Sequence, residues 1–151
     1  MPALEGEGLS YAQFTIGPCG MNSPHHHPRA TEGIYILQGS NVTTGFAEEN
    51  SGRAIINQGL RAGQVTFVPK SLIHYQQNMG CDTAVLLSVL DHEDPGLIST
   101  GNQMFELPTE AVAQAFNRVD SFVTGMRASW PDKISNGRFN AECAARCRLR
   151  F

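Results

Sequence analysis

Pro24-His25-His26-His27-Pro28-Arg29-Ala30-Thr31-Glu32 is the most informative stretch of this chain. In an extended backbone, residues two apart point to the same face, so His25 and His27 can converge on one ion while His26 points away. Glu32 lies five residues beyond His27, the wrong parity for one unbroken strand. Pro28 and the residues after it permit a bend that resets which face looks inward, and a carboxylate then joins the two imidazoles. The fourth candidate, His74, follows Val68-Pro69-Lys70-Ser71, where a turn can bring it across a sheet. Three imidazoles and one carboxylate suit a borderline-hard divalent ion better than a thiolate-seeking one. A His-x-His pair alone is more often a surface loop or a satisfied core pair. What distinguishes this run is the joint spacing of the four residues and its place between two strand-like segments.

Outward from that run, segments 9–16, 33–38, 42–47, 53–58, 64–68, 72–77 and 84–90 are rich in Val, Ile, Phe, Tyr and Thr, and each reads as a strand. Gly17-Pro18, Gly39-Ser40, Asn50-Ser51-Gly52, Gly59, Gly63, Met79-Gly80 and Asp94-Pro95-Gly96 punctuate them as turns. Short strands at this spacing predict an all-β sandwich or barrel. The barrel is assigned to residues 1–107. From Pro108 the pattern changes: a helix opens with Thr109 as its N-cap and with Val112, Ala115 and Phe116 apolar. A second helix runs from about 118 to 129, where Val119, Phe122, Val123 and Met126 form an apolar face. Residues 108–130 therefore pack on the barrel or on a neighbouring subunit. Residues 131–151 form a polar, basic, Cys-containing tail with a short helical segment near its end, and no role is assigned to it.

The 151 residues, 41% of them hydrophobic, are enough for one compact domain with its own core. The net charge of −3 and a scatter of eleven basic residues without a stripe give no case for nucleic acid or an anionic membrane. No apolar run approaches the roughly 18 residues that cross a bilayer, and the opening Met-Pro-Ala-Leu-Glu-Gly-Glu-Gly has neither the basic nor the apolar region of a secretory leader. A small-molecule partner is expected. One glycosylation sequon, Asn41-Val42-Thr43, lies in a turn. Cys19, Cys81, Cys143 and Cys147 allow three pairings, and spacing chooses none.

Two separated motifs resemble the germin-like and spherulin-like proteins of the cupin superfamily. In the first, His25, His27, Glu32 and Gly39 fit the family spacing, with Cys19 where the leading glycine would stand. In the second, Gly63, Pro69, His74 and Asn78 fit, with Ser71 in place of the inner glycine. Both departures fall on turn positions. If either position needs positive φ, the substitution costs roughly 1 kcal/mol without touching the ligands. The likeness covers about residues 2–130. Relatives of this kind usually carry a disulfide-bearing extension ahead of the barrel, and the quoted chain starts without one.

The resemblance implies a jelly-roll β-barrel with C-terminal α-helices, holding one Mn²⁺ at His25, His27, Glu32 and His74, with Fe, Zn or Ni as alternative occupants. The other ring nitrogen of each ligating imidazole should donate to an outer acceptor, for which Gln76, Gln77 and Thr66 are candidates that the sequence does not choose among. In germins that oxidise oxalate, asparagines near the ion hold the substrate carboxylate. Asn22 matches one of them and is the catalytic candidate, whereas Ala12 stands at the other, which argues against oxalate oxidation. Superoxide dismutation asks less of the pocket, so a manganese-dependent oxidoreductase acting on superoxide or a small anion is the leading expectation. A non-catalytic storage or small-ligand-binding barrel with a structural metal is the alternative. A sugar-phosphate isomerase is disfavoured, because too few basic residues flank the motifs to hold a phosphate, with Arg29, Arg53 and Arg61 the nearby candidates. The resemblance further implies an extracellular protein and a homo-oligomer, with dimers joined as a trimer of dimers into a hexamer.

Overall fold

The computed structural model describes residues 5–50, 52–131 and 139–150. Its strands are β1 (Ser10–Ile16), β2 (Met21–His26), β3 (Glu32–Gln38), β4 (Val42–Ala47), β5 (Ala54–Leu60), β6 (Val65–Val68), β7 (His74–Asn78), β8 (Ala84–Leu90) and β9 (Ile98–Ser99). They form two antiparallel sheets, ordered β1-β8-β3-β6 and β5-β4-β7-β2-β9. The chain is an all-β jelly roll with short helices after it. Alternate residues of facing strands fill the space between the sheets, with Ile16, Ile34, Ile36, Val42, Val68, Ala84 and Leu86 as the buried core. The β8 sequence AVLLSVL alternates buried and half-buried residues along its whole length, as a strand with one face on the core should.

All seven strand-like segments of the sequence are strands, with ends displaced by at most two residues. β2 and β9 are additional, because Met-Asn-Ser-Pro-His-His carries little β-propensity and β9 is two residues long. β2 is held by its neighbours. Met21 and Asn22 pair with Gln77 and Gln76, and His25 pairs with His74, so one extra residue is inserted between Asn22 and His25. This bulge at Ser23-Pro24 lets Asn22 and His25, three residues apart, both face the interior.

The helices are α1 (Thr100–Phe105), α2 (Thr109–Ala115), α3 (Asp120–Ser129) and α4 (Ala141–Arg146). The helical part thus begins at Thr100, ahead of Pro108. Thr109 is not the N-cap of α2. Pro108 holds that place with extended ψ, and its carbonyl receives the Ala111 and Val112 N–H groups, so Thr109 is the first helical residue. The apolar face expected on α3 divides. Val123 and Met126 pack with Phe105, Val112, Ala113 and Trp130, whereas Val119 and Phe122 are exposed. Gly101 is required where it stands, since a Cβ there would lie 2.0 Å from the Trp130 ring.

At the end of the barrel away from the histidines, the C-terminal segment closes the structure. Disulfides Cys19–Cys143 and Cys81–Cys147 join α4 and the residue after it to the β1–β2 and β7–β8 turns. The Asn140 N–H bonds to the Cys19 carbonyl, and the Asn140 side chain caps α4 by accepting from the Cys143 N–H. Asn78 ties the same turns together, donating to the carbonyls of Ile16, Gly17 and Asp82 and accepting from the Gly80 N–H. Cys19 and Ser71, the two residues standing at glycine positions of the motifs, have φ of 59° and 65°. Both turns therefore do need the left-handed conformation. Each replacement has found a compensating partner: Cys19 in its disulfide, and Ser71 in bonds from its N–H to the His27 carbonyl (3.1 Å) and from its hydroxyl to the Pro28 carbonyl (3.0 Å).

Candidate metal centre

His25 lies near the end of β2, His27 in the connection that follows, Glu32 at the start of β3 and His74 at the start of β7. Pairing of β2 with β7 sets His25 opposite His74, and the connection through Pro28 returns the chain so that Glu32 enters the other sheet facing them. One donor atom from each of the four side chains lies within 4.8 Å of the other three. His26, as the alternation requires, is not among them. His25, Glu32 and His74 are 3%, 3% and 2% exposed.

The hydrogen bonds of the imidazoles fix what they present to this cluster. His25 Nδ1 is 2.7 Å from the Ser23 carbonyl, His27 Nδ1 2.6 Å from the Gly96 carbonyl, and His74 Nδ1 3.0 Å from the Leu72 carbonyl. A carbonyl only accepts, so each Nδ1 carries the hydrogen and each neutral ring turns the lone pair of Nε2 inward. His74 Nε2 stands 2.9 Å from Glu32 Oε2, yet it has no hydrogen-bond partner. With Nδ1–H held by the Leu72 carbonyl, Nε2 and the carboxylate need a cation between them, either a proton, which favours ionised Glu32, or a metal ion in its place. Backbone carbonyls, not Gln76, Gln77 or Thr66, serve as the outer acceptors. Thr66 instead receives the Asn57 amide.

A second layer holds the carboxylate. Ser88 on β8 donates its hydroxyl to Glu32 Oε1, and the Gln76 amide lies 3.5 Å from Oε2. The Gln76 carbonyl oxygen in turn accepts from the Asn22 amide at 3.1 Å. Burial acts to raise the Glu32 pKa, but the His74 contact, the Ser88 hydroxyl and the His27 ring outweigh it, and the net shift is downward. For His25, burial is the main cause of a pKa lowered to about 4, with the neighbouring His74 adding to it. The cluster is therefore built to present one anion and a neutral His25 ring at neutral pH.

A family model described as cupin matches residues 1–121. The chain belongs to the cupin family. Within it, this cupin is 37% identical to spherulin-1A of Physarum polycephalum over 77% of the chain and 46% of that protein. It is 33% identical to a putative germin-like protein 2-2 of Oryza sativa subsp. japonica over 86% of the chain and 60% of that protein. The chain thus spans about half to three fifths of the length of these relatives. Among solved structures, an oxalate oxidase superposes with a TM-score of 0.80 at 26% identity, covering 84% of this chain and 65% of the other. An oxalate decarboxylase of Bacillus subtilis studied for its Mn(II) centres superposes with a TM-score of 0.71 at 25% identity, covering 82% and 32%.

Three of the four clustered side chains of this cupin, His25, His27 and Glu32, border a cavity of about 220 Å³. The rest of the wall is Ala12 and Phe14 of β1, Leu90 of β8 and Leu97, together with Asn22, Gln76 and Ser88. Asn22 is 7% exposed, and one of its two amide hydrogens is committed to Gln76. None of the arginines near the motifs lines the cavity. Arg29 pairs with Asp94 at 2.7 Å and Arg53 with Glu48 at 2.9 Å. The places of Gln76, Ser88 and Leu97 in the cavity wall do not follow from the two motifs alone. Gln76 had a signal, being two residues from His74 on the same strand face, whereas Ser88 and Leu97 come from distant elements with none.

Proposed function

We propose that this cupin is a manganese-dependent oxidoreductase of the germin-like kind, acting on superoxide or a small anion at His25, His27, Glu32 and His74. The observation that carries the reading is three imidazoles locked by backbone carbonyls, with their Nε2 lone pairs and one carboxylate converging beside a cavity. Nitrogen and oxygen donors without thiolate suit Mn²⁺, and also Fe, Zn or Ni, with geometry and supply deciding among them. The Mn(II) centres of the Bacillus subtilis oxalate decarboxylase support manganese. Bound there, the ion would supply a one-electron couple and coordination positions open to the cavity.

The chain's own residues orient and insulate. Ser88 and Gln76 hold the carboxylate, Phe14 and Leu90 exclude water, and the uncommitted Asn22 amide hydrogen is placed to donate to an anionic oxygen. Ala12 offers no second donor, so oxalate oxidation is the less suited of the two reactions even though an oxalate oxidase is a structural neighbour. Metal analysis of protein purified without added ions, followed by superoxide and oxalate assays on the manganese-loaded form and on His74→Ala, tests the reading. Equal activity in both forms would end it.

The apolar cavity wall favours a second reading, a barrel that stores or binds a small ligand around a structural metal. Full metal occupancy without turnover of either substrate would select it.

Assembly as a homo-oligomer is supported by the outer face of the four-stranded sheet. Tyr11, Val89, Gly33 and Phe67 form one row across it, and Leu87, Tyr35 and Val65 a second. Val65 and Phe67 are 69% and 62% exposed, a cost that pairing two barrels would remove. On this reading residues 1–107 carry the centre, 108–130 support it or a neighbour, and the tail clamps the barrel. Two disulfides support an oxidising, extracellular setting. Among the described residues no helix is long and apolar enough to cross a membrane.

A further inference from the structure

We propose that the ligand taken at this centre is a small monocarboxylate with an apolar body, in preference to a dicarboxylate such as oxalate. The inference rests on the metal reading above and adds the ligand class.

Charge sets the first limit. A divalent ion, one carboxylate and three neutral imidazoles leave one net positive charge, which one carboxylate on the ligand balances. No lysine or arginine lines the cavity to meet a second. Polar capacity sets the next. Ser88 donates to Glu32, Asn22 donates to Gln76 and Gln76 donates to Glu32, so one amide hydrogen on Asn22 and one on Gln76 are left, enough for the oxygens of one bound carboxylate. A second carboxylate would face Phe14, Leu90 and Ala12, where an ion is stripped of water without a partner.

Space sets the third limit. The cavity of about 220 Å³ is several times the share of one water molecule, about 30 Å³, and its walls beyond the ligand cluster and Asn22, Gln76 and Ser88 are apolar. Leu97, 55% exposed, stands at the open side, where the far end of an alkyl chain would rest. Each methylene transferred from water to such walls should tighten binding about fourfold until the cavity is full.

The test uses the full chain loaded with Mn²⁺, with metal content measured first. Formate, acetate, butanoate, hexanoate, oxalate and butylamine are titrated, and binding is read from the Mn²⁺ electron paramagnetic resonance line and from water proton relaxation. The expected result is affinity rising about fourfold per methylene from acetate to butanoate, oxalate weaker than butanoate, and no binding of butylamine. Leu97→Ser, at an exposed position, should keep metal uptake and flatten the rise toward hexanoate. One metal per chain with oxalate binding tightest, or with affinity independent of chain length, overturns the ligand class and leaves the metal centre standing. A chain that takes up no metal overturns both.

Discussion

His74 Nε2 faces Glu32 Oε2 across 2.9 Å while the hydrogen of the same ring is held by the Leu72 carbonyl. A proton between them makes an ion pair, and a metal ion in its place makes the two a ligand pair. Metal should therefore act as a folding ligand. Raising Mn²⁺ to about 100 times its Kd should add roughly 2.7 kcal/mol, or several degrees in Tm, and a chelator should reverse the gain. Calorimetry on wild type and His74→Ala checks this, with the variant expected to show little metal-dependent shift.

Ser88 and Gln76 never touch the ion's place, yet they set the carboxylate that does. Ser88→Ala should weaken metal binding by about 10- to 100-fold while leaving far-ultraviolet circular dichroism unchanged. An unaltered metal titration would mean that Glu32 is held adequately by the rings alone.

The metal-free chain should lose stability in acid. The unfolded state takes up a proton at His25 below 6.5, whereas the folded site resists until about 4, so protonation favours unfolding throughout that window. Glu32 acts in the same sense: its folded pKa is depressed below 4.5, and its contribution is present above that value and lost as pH falls through the lower one. His25 should remove on the order of 3 kcal/mol between pH 6.5 and 4, and the loss at Glu32 follows below 4.5. Urea midpoints across this range provide the check, and a flat profile would contradict the buried neutral imidazole.

Ser71 combines strain with a tie to the ligand loop. Ser71→Gly removes a left-handed φ cost of about 1 kcal/mol but also the hydroxyl bond to Pro28, so stability should change by less than about 1 kcal/mol. Ser71→Ala keeps the strain and loses the bond, and should destabilise by about 1 kcal/mol. Chemical denaturation of the two side by side separates the terms.

Much of the barrel was legible because seven strands carry both β-propensity and turn punctuation. β2 was not, since its conformation comes from pairing with β7 and from a bulge at Pro24, neither of which leaves a local pattern. The metal residues stood out because ligand chemistry demands particular side chains at particular offsets, and their convergence followed from His25 pairing with His74. Ser88 reaches Glu32 from 56 positions away, a relationship set by sheet order alone. The cysteine pairing was equally hidden, because it depends on where α4 docks, and the apolar stripe of α3 could not announce that Val123 would be buried and Val119 exposed.

The bridge between Cys19 and Cys143 closes a covalent ring that contains every strand except β1, and the Cys81–Cys147 bridge ties a loop of that ring to the chain just beyond its closure. A protease that nicks any single loop between β2 and β9 would leave both pieces attached. All four candidate ligands would stay on one molecule after such damage, and only a reductant would let the fragments part.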